Sequence, residues 1–176
     1  MADRAYLYAD DRPDAWDEPE EGYYDSRWTL PLAWFFFFRP ENVFLIDVCS
    51  HGSRWREVRL SAEKDAALKL FDVRKPLLTS LIGPRLSNAA VDRFVATVGE
   101  RPGRYILLNP AEVLGGINCG FDDDQGHARR ISQILVDLGD GSCSADAIRE
   151  ATGPYVKDLS PDPDKCECQI IGYTYS

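Results

Sequence analysis

Hydrophobic and polar positions along this chain fall into short, well-punctuated blocks that mix two periods. Arg4 to Ala9 alternates and is rich in tyrosine, as a strand would be. Pro31 suits the first turn of a helix, and Leu32 to Phe38 then reads as a short buried helix that breaks at Arg39-Pro40. Asn42 to Val48 is a continuous apolar run and reads as a buried strand, with a second strand over Trp55 to Leu60. Ser61 has the chemistry of an N-cap for a helix running to about Asp72, with Glu63 and Asp65 near the positive end of its dipole. A separate short helix is expected over Lys75 to Ile82, stopped by Gly83-Pro84.

The second half carries the clearest helical signals. Val91, Phe94, Val95 and Val98 follow helical spacing after a cap at Ser87 or Asn88. Ile131, Ile134, Leu135 and Leu138 repeat that stripe before Gly139. Ser144 caps a helix over Ala145 to Thr152, which Gly153-Pro154 ends. Between these, Arg104 to Leu108 is a short strand and Ala111 to Leu114 one helical turn. Glu167 to Tyr175 alternates partly and reads as a terminal strand. Strands at both ends therefore enclose a helix-rich middle. The order predicts an α+β fold: a small, mainly antiparallel sheet that includes the N- and C-terminal strands, packed by about five helices on one face. Length predicts one globular domain over 1–176, with an acidic loop at about 10–24.

Charge sharpens the picture because it is local. Nine acids in the first twenty-five residues face only Arg4 and Arg12, so this arm carries −7 of the chain's −9. An acidic chain is a poor ligand for nucleic acid or an anionic membrane, and a basic protein is the partner it suits. The longest apolar run, Leu30 to Phe38, is too short to span a bilayer, and no apolar signal segment lies near the N-terminus. Five cysteines, an odd number, suggest reduced thiols and a cytoplasmic setting.

Catalytic and metal motifs are incomplete. Cys166-Glu-Cys168 is half of a clasp with too tight a spacing, and no second close pair accompanies it. Asp122 to Asp124 do not match a calcium loop and suit a helix N-terminus instead. Gly115 to Gly120 lacks the phosphate-loop spacing. No cofactor or metal site is assigned. A small enzyme would have to bring together several of Asp47, Cys49, His51, Asp122, Asp124 and His127.

The favoured class is a non-enzymatic protein-binding module. Its candidate contact residues are Asp10, Asp11, Asp14, Trp16, Asp17, Glu18, Glu20, Glu21, Tyr23 and Tyr24. The acids would steer a basic partner and the aromatics would anchor it. The same aromatics could equally pin the arm to its own domain. The Trp34 to Phe38 block is expected in the core, and a homo-oligomer that partly lines its contact with this block is a third class.

Three segments carry a resemblance. Met-Ala-Asp-Arg-Ala-Tyr-Leu-Tyr8, Leu30-Pro-Leu-Ala-Trp34 and Tyr105-Ile-Leu-Leu-Asn-Pro-Ala-Glu112 are similar to a family of uncharacterised bacterial proteins. Its members open with a MANRSYLY-type stretch followed by an aromatic segment. The resemblance covers the first forty residues best. It implies a bacterial cytoplasmic protein, of the kind that serves as accessory or immunity partner to a secreted toxin. It carries no catalytic residues across.

Overall fold

The computed structural model describes residues 4–15, 23–27, 29–50, 53–116, 124–156 and 163–175. Its strands are β1 (Arg4–Asp10), β2 (Tyr23–Arg27), β3 (Val43–Ser50), β4 (Ser53–Glu63), β5 (Tyr105–Asn109) and β6 (Tyr173–Tyr175). They form one sheet in the order β3-β4-β5-β1-β2-β6. Every neighbouring pair is antiparallel. The helices are α1 (Lys64–Ile82), α2 (Asn88–Glu100), α3 (Ala111–Gly116), α4 (Asp124–Leu138), α5 (Ala145–Thr152) and α6 (Pro163–Ile171). The class is α+β, with N- and C-side strands in one antiparallel sheet.

Strand alternation assigns the two faces. Ala5, Leu7, Tyr24, Val58, Leu60, Ala62, Ile106 and Leu108 point to one side and join the main core. The helices supply the rest of that core, including Phe71, Phe94, Ile131, Leu135, Ile148 and Ile170. The other side holds a small satellite cluster of Tyr6, Tyr8, Ala15 and Leu107, flanked by Tyr23 and Tyr105, with no helix residue in it. Helices therefore cover one face only.

The aromatic block lies at the centre of the core. Leu32–Phe37 is a 3₁₀ helix entered from Pro31, and Trp34 to Phe38 are fully buried. Phe37 packs on Phe71 at 4.6 Å between ring centroids and on Phe94 at 5.7 Å. The Trp34 indole N–H donates to the Ile171 carbonyl at 3.0 Å, tying this turn to the end of α6. Five adjacent large side chains can all be buried because the turn sits between α1, α4 and α6.

Tertiary pairing overrode three local signals. Ser61 caps no helix. It lies in β4 opposite Leu107, and α1 begins at Lys64, whose N–H donates to the Arg104 carbonyl at 2.8 Å. The expected break before Lys75 is absent: α1 runs through Pro76, which sits on the exposed side. There Pro76, with no N–H, leaves the Asp72 carbonyl without its helical donor. The expected strand from Glu167 is mostly helix. Cys166 and Ile170, one helical turn apart, face the core, and Gly172 at φ 84° ends α6 before the three-residue β6. Caps at Ser87 and Ser144 form as the sequence predicts, each accepting from the N–H three residues on.

Arg74 joins three of these elements. It is 1% exposed in the middle of α1. Its Nε and Nη2 donate to the Gly139 carbonyl after α4, at 2.9 and 2.7 Å. Its Nη1 donates to the Phe38 carbonyl at 2.7 Å. Carbonyls at the ends of two helices thus solvate the cation directly, while the Asp140 and Glu41 carboxylates act on it from farther away. Burial pulls its pKa from the ordinary arginine value down to about 10, so it stays charged at neutral pH.

Candidate docking surface

Strand β3 is the outer strand of the sheet on the side away from β6. This differs from the buried strand that its apolar run predicts. Val43 and Leu45 turn inward and pack on the core, while Phe44 on the helix-free face is 45% exposed. Eight residue pairs, from Val43↔Leu60 to Ser50↔Ser53, bind β3 to β4. With two residues between the paired serines, alternate residues of β3 turn their N–H and C=O groups toward β4 and the others turn them outward. Among the described residues no strand accepts those outward groups. A long, largely apolar edge is a ready template for pairing with another chain.

The surroundings of this edge are amphipathic. Trp55, opposite Val48 on the helix-free face, is 40% exposed, and its indole N–H donates to Glu57 at 2.6 Å. Glu57 also pairs with the buried Arg59 at 2.5 Å, and Arg56 with the exposed Asp47 at 3.1 Å. A shallow hollow of about 430 Å³ near the end of the hairpin is lined by Asp47, Val48, Cys49, Trp55 and Arg56. On the helix side, a groove of about 550 Å³ runs between Val43–Leu45 and one side of α4. Gln125, Arg129, Ser132, Gln133 and Val136 form its helical wall. Val136 is 56% exposed. Its phase explains this, because Ile131, Ile134, Leu135 and Leu138 form the buried stripe and Val136 lies off it.

The acidic arm behaves differently from a uniform loop. Asp11 and Asp14 are exposed and Asp10 is half-buried, with its carboxylate accepting from the Arg12 N–H at 2.8 Å. The arm's start folds back on the helix-free face, where the Tyr8 hydroxyl donates to the Ala15 carbonyl at 2.5 Å. Trp16, Asp17, Glu18, Glu20 and Glu21 lie outside the described residues. Tyr23 and Tyr24 belong to β2. Tyr23 is half-buried and meets Tyr6 edge-on at 5.5 Å. Tyr24 is buried against Phe94 at 4.9 Å, with the Arg101 guanidinium 5.0 Å from its ring centre, so its ring offers no surface to a partner.

Asp25 follows on β2 and is fully buried on the helix-free face. Arg4 reaches it at 3.6 Å, but neither carboxylate oxygen accepts a hydrogen bond. Burial raises its pKa, against the pull of Arg4 and Arg27.

Of the residues an enzyme would need, Asp47, Cys49 and His127 have described side chains, and of these Asp47 and Cys49 line the hairpin hollow while His127 does not. Asp47 and Cys49 are exposed on the hairpin. His127 is buried on α4, its Nδ1 3.2 Å from the Tyr155 hydroxyl. His51 and Asp122 lie outside the described residues, as does the side chain of Asp124. Cys166 and Cys168 sit on a helix rather than a strand, two residues apart and so on different sides. Cys166 is buried, which pushes its thiol pKa up, and Cys168 is half-buried. Among the described residues no three His, Cys, Asp or Glu side chains gather as metal ligands would. No described helix is long and apolar enough to cross a membrane.

Phe44, Trp55, Arg129 and Val136 of this candidate surface lie outside the contact residues that the sequence predicts on the arm. Two signals were available. Asp47 interrupts an otherwise apolar run, which a strand covered on both faces rarely tolerates. Val136 falls out of phase with the stripe of its own helix. No family model, no curated protein and no solved structure matches this chain.

Proposed function

We propose that this chain is a non-enzymatic protein-binding module that docks partners on the open side of the β3–β4 hairpin. One observation carries the reading: β3 is a mostly apolar edge strand whose outer side pairs with no described strand, and two large aromatic residues, Phe44 on it and Trp55 beside it, are exposed. Exposed aromatics next to unpaired backbone groups supply both halves of a protein contact, apolar anchors and hydrogen bonds. The acidic arm adds long-range steering toward a partner of net positive charge, an effect that fades as salt rises. The sharpest form of this function is neutralisation of a basic toxin by an immunity protein, for which the acidic arm is the support.

The test is capture from cells that make the protein, with a Phe44→Asp, Trp55→Asp double variant as control. Both positions are exposed, so the variant is expected to fold. The wild-type chain should retain a protein that the variant loses. The same proteins retained on both, or none on either, would contradict the reading.

A further inference from the structure

The groove beside β3 has a chemical character that narrows what it can take. One wall is the strand edge itself, from Val43 to Leu45. The other is the outward side of α4, where Arg129 and Val136 stand seven residues, or about two helical turns, apart. Arg129 is exposed, is the one charged residue among the described groove-lining groups, and forms no ion pair with any described residue. The wall therefore presents a cation at one level and an uncovered apolar side chain at another.

The edge dictates the backbone of the occupant. Outward N–H and C=O groups alternate along β3 and are matched by another extended strand. A strand laid there turns every second side chain toward α4. Arg129, the one described cation of the groove, calls for a carboxylate on the occupant, and the exposed Val136 calls for an apolar side chain.

We propose that the groove takes an extended segment of a partner protein, added along β3 as a further strand, with an acidic side chain against Arg129 and an apolar side chain against Val136. Both side chains lie on the same face of the segment, an even number of residues apart. This deepens the protein-binding reading and rests on it. The segment's carboxylate is a local feature, compatible with a partner whose overall charge is positive.

A random-sequence peptide library selected on the full chain tests this directly. The selected peptides should alternate apolar and polar residues and carry Asp or Glu on the apolar face. Arg129→Glu should weaken them roughly fivefold to tenfold, the scale of one exposed ion pair lost and replaced by repulsion. Arg129→Lys should retain most of the binding, and Val136→Lys should lose it. Amide hydrogen exchange should show new protection at alternate residues of β3 on peptide binding. Peptides without an acid, binding indifferent to Arg129→Glu, protection elsewhere in the chain, or no selected peptide at all would overturn the inference. The two levels separate cleanly. A captured protein that depends on Phe44 and Trp55 but ignores Arg129→Glu removes the groove and keeps the binding module. Failure of capture removes the module itself.

Discussion

Replacing Arg74 by methionine probes how this core is held together. Methionine keeps the length and apolar stem of arginine and removes the guanidinium. The Gly139 and Phe38 carbonyls then lose their charged donors, three contacts of 2.7 to 2.9 Å. Hydrogen bonds to a charged group contribute about 1.5–3 kcal/mol each, so the loss is about 5–9 kcal/mol. Against this stands the cost of burying the cation, reflected in a pKa pulled down to about 10 and worth about 3 kcal/mol. The net destabilisation is about 2–6 kcal/mol, overlapping that of breaking other buried charged contacts. Urea unfolding of a chain this size has a slope of about 2 kcal/mol per molar, so the midpoint should fall by about 1–3 M. Arg74→Lys should fall between, because an ammonium cannot fork across carbonyls from two elements. A methionine variant within about 0.5 kcal/mol of the parent would refute the account, placing Arg74 among ordinary tolerated positions.

Asp25→Asn should raise the urea midpoint at neutral pH. A carboxyl whose folded pKa lies above its unfolded value holds its proton more tightly when folded, so its ionisation costs stability and acidification restores it. The advantage of asparagine should therefore shrink as pH falls through the raised pKa toward the ordinary carboxylate range; a variant less stable than the parent at pH 7 would mean the Arg4 contact outweighs burial. Gly172→Ala should destabilise by about 2 kcal/mol or more, read by thermal melting, because the residue has φ 84° and its Cβ would meet the Trp34 ring at 2.7 Å and the Asp25 carbonyl at 2.8 Å. An unchanged melting temperature would show that the β2–α6 junction has room to relax.

Much of this fold is legible in the sequence, and the failures share a cause. The stripes of α2 and α4 and the caps at Ser87 and Ser144 are local features, and local features suffice there. Ser61 has an equally good local signal but pairs with β5, a contact forty-six residues away that no window contains. Tyr23 and Tyr24 looked like part of an acidic loop because their strand partners, β1 and β6, lie toward opposite ends of the chain. The arm drew attention through its charge, whereas the docking surface depends on sheet order. An apolar run such as Val43 to Val48 reads alike at the centre of a sheet and at its edge. Only the order of strands distinguishes them, and that order is set by long-range pairing.

The central claim is that β3 is open, and amide hydrogen exchange along Val43 to Ser50 in the free protein tests it most directly. The account predicts an alternating pattern: slow exchange at residues bonded to β4, and fast exchange at the outward-facing residues between them. Uniformly slow exchange along the whole strand would mean that the edge is already covered, and would contradict it.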